Sequence, residues 1–178
     1  MRSTARRAIP TTAVLLAASA LLAQRLPPLE KVYPGPEQPL PFSHKTHAAQ
    51  GLTCRQCHPT PDPGDFAEIV GTERCMSCHR TVKPDSSAIR RLAEFHAAGE
   101  PIPWEPVYLV PDYVYFSHRE HRERADADCA DCHGDVAARD ALAKERDISM
   151  AACMDCHRAK GASNACDYCH EPRGAAIP

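Results

Sequence analysis

Every cysteine of this chain belongs to one repeated arrangement. Cys54-Arg55-Gln56-Cys57-His58, Cys75-Met76-Ser77-Cys78-His79, Cys129-Ala130-Asp131-Cys132-His133, Cys153-Met154-Asp155-Cys156-His157 and Cys166-Asp167-Tyr168-Cys169-His170 are five copies of C-x-x-C-H, and none of the ten cysteines is left over. Two thiols separated by two residues, with a histidine directly after the second, are what covalent attachment of haem c requires. The thiols form thioethers with the porphyrin vinyl groups, and the backbone turn delivers the histidine beneath the iron. On this reading Cys54, Cys57, Cys75, Cys78, Cys129, Cys132, Cys153, Cys156, Cys166 and Cys169 hold five haems c. His58, His79, His133, His157 and His170 are their proximal ligands. Zinc is the competing metal, but zinc ribbons take two C-x-x-C pairs per ion and do not call for a histidine after every pair. Five vicinal disulfides in a chain with no thioredoxin-like pattern have no evident use.

The remaining histidines turn the haem reading into arithmetic. Ten histidines less the five of the attachment motifs leave His44, His47, His96, His118 and His121, so five irons meet five candidate distal ligands. Four of these occur in two copies of one motif, Phe42-Ser43-His44-Lys45-Thr46-His47 and Phe116-Ser117-His118-Arg119-Glu120-His121, each lying just before an attachment site. The i, i+3 spacing puts both imidazoles of a pair on one face of a helical turn. One iron has a single distal position, so each pair is expected to bridge two different haems.

His96 stands alone. From Asp85 or Ser86 as N-cap the run to Ala98 reads as a helix closed by Gly99 and Pro101, with Ile89, Leu92, Ala93 and His96 along its apolar face. His96 is either the fifth distal ligand or a satisfied core histidine, and Met150, three residues before Cys153, is the alternative ligand. Met76 and Met154 are expected against porphyrin edges.

These side chains must be held by an unusual chain. Seventeen prolines against eight glycines break long helices and continuous sheets, and only 6% of residues are aromatic, so a conventional core is thin. The expected fold is small and mostly irregular with a few short α-helices, packed around haem as two similar lobes plus a C-terminal haem site. The offset of 74 between His44 and His118 marks an imperfect duplication within a domain spanning residues 42–178, with lobes at 42–100 and 101–178. Pro101 to Val114 joins the lobes. Its Trp104 and Tyr108, with Tyr113 and the adjoining Tyr115, pack against haem faces or form inter-lobe core. Without haem the chain is not expected to fold.

Upstream, Arg2, Arg6 and Arg7 precede an uncharged Ala- and Leu-rich stretch to Ala23, the layout of an export signal over residues 1–23. Sixteen residues of helix reach about 24 Å against a hydrocarbon core near 30 Å, which favours a cleaved signal peptide over a spanning signal anchor. Residues 24–41, with six prolines, read as an extended tether. The formal charge of −2 is spread over interspersed acids and bases, which excludes a nucleic-acid face. Removal of the leader takes its three arginines and moves the charge to −5.

The paired F-S-H-x-x-H motifs with C-x-x-C-H sites resemble the class III multihaem cytochromes c, over residues 42–170. The linker Pro101-Ile102-Pro103-Trp104, followed by Leu109-Val110-Pro111-Asp112-Tyr113-Val114-Tyr115-Phe116-Ser117-His118, and the Ser149-Met150 step before Cys153 are similar to the pentahaem subunit of alternative complex III and its relatives. The resemblance implies a periplasmic subunit, free of the membrane or anchored through the N-terminal segment, that passes electrons from a quinol-oxidising membrane complex to an acceptor. The alternative is a freely diffusing periplasmic or extracellular carrier. A haem reductase needs an open distal position, which five ligands for five irons do not leave. The expectation is therefore an electron-transfer protein with redox protein partners, no catalytic residues of its own and no directly bound small-molecule substrate.

Overall fold

The computed structural model describes residues 35–170. The leader and residues 24–34 of the expected tether lie outside them. Among the described residues there is no strand, and six short α-helices are joined by irregular chain and single 3-10 or π turns. They are α1 (His44–Ala48), α2 (Thr72–His79), α3 (Ser87–Ala98), α4 (Cys129–His133), α5 (Met150–Lys160) and α6 (Cys166–Cys169). None of these helices is long and apolar enough to cross a membrane.

The longest helices follow their local chemistry. Helix α3 starts after Ser86 and stops where Gly99 takes a left-handed conformation at φ 68°, which lets the backbone turn away without a side-chain clash. Helix α5 begins at Ser149, whose hydroxyl accepts from the Ala152 amide at 3.4 Å, and ends at Gly161 in the same left-handed geometry. In α1 the Ser43 hydroxyl accepts from the Thr46 amide at 3.0 Å, so the serine of F-S-H-x-x-H is a helix cap.

Side-chain burial is sparse. Among the described residues the buried apolar side chains are Leu40, Met76 and Leu92, where α3 packs on α2, with Ile89, Phe95, Ile102 and Trp104 around them. Met76, expected at a porphyrin edge, is instead 8% exposed in this cluster, because its position on α2 faces α3. The end of the expected tether is also packed. Leu40 is buried, the Gln38 amide exchanges hydrogen bonds of 2.8 and 3.0 Å with the Glu105 backbone, and a Cβ at Gly35 would collide with the Leu142 carbonyl.

The two lobes dock reciprocally. The Lys45 amide donates to Arg139 O at 2.9 Å, and 74 residues later the Arg119 amide donates to Gly64 O at 3.0 Å. The Ser43 hydroxyl donates to Asp140 at 2.7 Å, and the Ser117 hydroxyl to Gly64 O at 3.3 Å. Arg119 pairs with Asp62, and Lys45 approaches Asp140. Each histidine turn therefore rests on the loop that follows the first attachment motif of the opposite lobe. The linker closes the arrangement. Tyr108 Oη accepts from the Glu145 and Arg146 amides at 2.8 and 3.1 Å, and the Tyr115 amide donates to Cys169 O at 2.8 Å.

Candidate metal centres

Each C-x-x-C-H motif lies on a helical turn. The motifs fall on a 3-10 turn at Cys54–Gln56 with Cys57 and His58 directly after it, the last turn of α2, helix α4, the middle of α5 and helix α6 with His170 directly after it. The turn puts the two thiols, three residues apart, and the histidine, four residues past the first, on one face. Its closure is visible in the hydrogen bonds from the His58 amide to Cys54 O at 2.8 Å and from the His170 amide to Cys166 O at 3.0 Å. None of the ten cysteines is in a disulfide, and six are exposed. Unlinked cysteine is ordinarily among the most buried of residues, so these thiols are presented for reaction and not packed away.

All ten histidines are partly buried, and four pairs of them face each other. His44 lies opposite His58 with ring centroids 6.4 Å apart and planes 8° from parallel, and His118 lies opposite His133 at 6.4 Å and 6°. His47 faces His79 at 6.1 Å and 63°, and His121 faces His157 at 6.1 Å and 31°. With metal–nitrogen bonds of about 2.0 Å and each ring nitrogen about 1.1 Å from its ring centre, imidazoles trans to one another across a metal have centroids roughly 6.2 Å apart. The four observed separations bracket that value. Among the described residues no group of three or more His, Cys, Asp or Glu side chains converges as a tetrahedral ion would need. The residues fit a metal that takes two axial imidazoles and brings its other ligands with it, as haem iron does.

The opposite ring nitrogen explains how the pairs are aimed. Nδ1 donates to a backbone carbonyl in seven of the histidines. The partners are Ser43 for His47, Glu68 for His58, Val82 for His79, Asp65 for His118, Ser117 for His121, Ser163 for His157 and Tyr113 for His170, at 2.8–3.0 Å. A carbonyl only accepts, so the proton sits on Nδ1 and a lone pair is left on Nε2 for a metal. His44 Nδ1 is buried without a partner, whereas its counterpart His118 has Asp65 O. Burial, with His58 and His47 nearby, pushes the His44 imidazolium pKa below its ordinary value. Burial with His118 and His58 nearby does the same to His133. Both shifts favour the neutral, ligating form.

Phenylalanine does work that sequence reasoning left unassigned. Phe42 lies against His47 at 4.2 Å and 14° and meets His44 edge-on at 4.8 Å. Phe116 repeats this with His121 at 4.7 Å and 28° and His118 at 4.8 Å. Each ring is a wedge that sets the angle between two imidazoles. Tyr108 contributes similarly in the second lobe, packing edge-on to His133 at 4.8 Å.

The fifth motif is built differently. His170 has the Tyr113 ring at 6.0 Å, and Tyr113 also supplies the carbonyl on Nδ1, so this tyrosine lies on the proximal side. His96 is brought to Thr72, with Nδ1 3.1 Å from Oγ1, where α3 packs on α2, and not opposite an attachment histidine. Met150 opens α5 with 67% of its surface exposed. Large apolar side chains elsewhere around the motifs are similarly open, among them Phe66 at 79%, Leu109 at 73% and Tyr168 at 62%. So much exposed apolar surface over so small a core is the lining a flat apolar macrocycle would cover.

Comparison with known proteins agrees with this geometry. Residues 114–171 match the family described as cytochrome c7 and related cytochrome c, and residues 23–101 match the class III cytochrome C family. A relative from Nitratidesulfovibrio vulgaris (Hildenborough), described as the multiheme cytochrome c subunit of menaquinone reductase, is 31% identical over 169 residues. The alignment covers 80% of each chain.

Proposed function

The chain belongs to the multihaem cytochromes c of the class III and cytochrome c7 type, and from that premise we propose that it carries five haems c and conducts electrons as the periplasmic subunit of a quinone-linked membrane complex. Electron transfer through covalently bound haem is common to the family, and catalysis at the far end of the path belongs to other subunits. The four imidazole pairs are the observation that carries the finer reading. Their separations suit axial ligation by His44 with His58, His47 with His79, His118 with His133 and His121 with His157. The fifth haem would be held by Cys166 and Cys169 with His170 beneath the iron.

Bound iron would supply the one-electron chemistry. The protein's own share is to hold seven of the imidazoles in the Nδ1–H form, to cover the macrocycle with apolar side chains and to fix the spacing between neighbouring sites. Because His44 and His47 share one turn, as do His118 and His121, each turn clamps two sites at a short fixed separation. Loose tethering would not maintain such a spacing.

Membership of a membrane complex rests on the menaquinone reductase subunit to which the chain is similar. That relative favours electron flow toward quinone, the reverse of the quinol oxidation implied by the linker resemblance. The test is purification of the tagged protein from its native membranes in mild detergent. Recovery with iron–sulfur and quinone-binding subunits, and reduction of a menaquinone analogue by the assembly once the haems are reduced, is the expected result. Recovery as a lone soluble monomer would overturn complex membership in favour of a diffusing carrier.

A further inference from the structure

Attachment sites that are consecutive in the chain need not be neighbours in space. Two neighbour relations follow from the histidine turns. His44 faces His58 of the first motif while His47 faces His79 of the second, and His118 faces His133 of the third while His121 faces His157 of the fourth. A third comes from Tyr168, inside the fifth motif, which meets His157 edge-on with centroids 6.4 Å apart. These relations join second to first, third to fourth, and fourth to fifth.

The remaining junction is between lobes. The loop after the first motif holds two histidines of different sites. Its Glu68 carbonyl accepts from His58 Nδ1 at 3.0 Å, and its Asp65 carbonyl accepts from His118 Nδ1 at 2.8 Å. The Arg119–Asp62 ion pair, the Arg119 amide on Gly64 O and the approach of Arg55 to Glu123 at 3.9 Å pin the same contact. The reciprocal contact, α1 on the Arg139–Asp140 segment, follows the third motif. Both dockings therefore bring the first motif of one lobe to the first motif of the other. In agreement, Cys54 of the first motif lies beside Cys129 of the third.

We infer that the five sites form a linear path in the spatial order second, first, third, fourth, fifth, so that the sites at Cys75–His79 and Cys166–His170 are its two ends. This rests on the proposed occupancy of the motifs by haem. The first site, nearest the N-terminus of the domain, is then an internal link through which electrons cross between lobes. The sites accessible to separate partners are the one flanked by α2 and α3 and the one flanked by α6 and Tyr113.

Proton NMR on the intact, fully matured protein tests the order. Haem methyl resonances are assigned with His44→Met, His47→Met and His118→Met, each of which changes one axial ligand while the thioethers stay in place. If one of these variants does not mature, Phe42→Leu or Phe116→Leu shifts the same resonances through the wedge. Dipolar cross-peaks between methyl groups of the first- and third-site haems, with none between those of the second and third, are expected. Cross-peaks joining second to third and none joining first to third would overturn the inference. Intact mass of the same sample counts haems separately, so a shortfall in haem number contradicts the proposed occupancy and leaves the order to be read from the haems that remain.

Discussion

Phe42 and Phe116 carry no ligand atom, yet each orients two imidazoles, and that makes them sensitive positions. Replacing Phe42 with alanine removes ring contacts of about 0.5–1.5 kcal/mol each. The His44 and His47 sites should then show a partial high-spin population in the visible spectrum, while the third and fourth sites keep theirs low-spin. His44→Ala should go further and create one carbon-monoxide-binding haem. The planes of the pairs also differ. Near-parallel imidazoles at His44/His58 and His118/His133 should give rhombic low-spin EPR signals, and the 63° pair at His47/His79 a single large-g feature. That feature should vanish in His47→Met and survive in His44→Met. Acid should weaken the fold through the same residues. His44 and His133 have pKa values below the ordinary 6.5 in the folded chain, so as pH drops past 6.5 the unfolded chain takes up protons first and stability falls. Iron, which binds only neutral imidazole, acts in the same direction. Urea midpoints should therefore be lower at pH 5 than at pH 7. At this scale the sequence was legible wherever a side chain carries the chemistry. The carbonyls of Glu68, Asp65, Val82 and Ser163 that aim the rings were not, because any residue type offers one.

Helix α3 shows what was readable in the elements. A serine cap, an i, i+3, i+4 apolar face and a closing glycine are local signals, and the helix runs over Ser87–Ala98 as they indicate. The direction in which Met76 faces depends on the α2–α3 packing, which no local signal encodes. The tether shows the same limit. Its prolines read as unfolded chain, but Leu40 packs into the α2–α3 cluster and Gln38 bonds Glu105, 67 positions away. Leu92→Ala should cost about 2–5 kcal/mol because its cavity opens in the apolar cluster found among the described residues. Tyr108→Phe leaves the Glu145 and Arg146 amides without their acceptor, a loss of roughly 1–3 kcal/mol. Thermal unfolding followed in the Soret band measures both. For Tyr108→Phe the third site, where the ring packs on His133, should be perturbed first.

For the whole molecule, three buried apolar side chains among the described residues are far too few to hold 136 residues together, and the duplicated lobes meet through hydrogen bonds and ion pairs more than through apolar packing. The cofactors must therefore supply the core, and their covalent attachment makes folding and loading one event. The duplication was visible in the 74-residue offset. The reciprocal docking was not, since it pairs segments from opposite lobes whose sequences carry no mark of each other. The most direct test of this account is the intact mass of the matured protein under denaturing conditions, where only covalent groups are retained. Five haem additions with no remaining free thiol are predicted, and a mass with four or fewer in fully matured protein would contradict it.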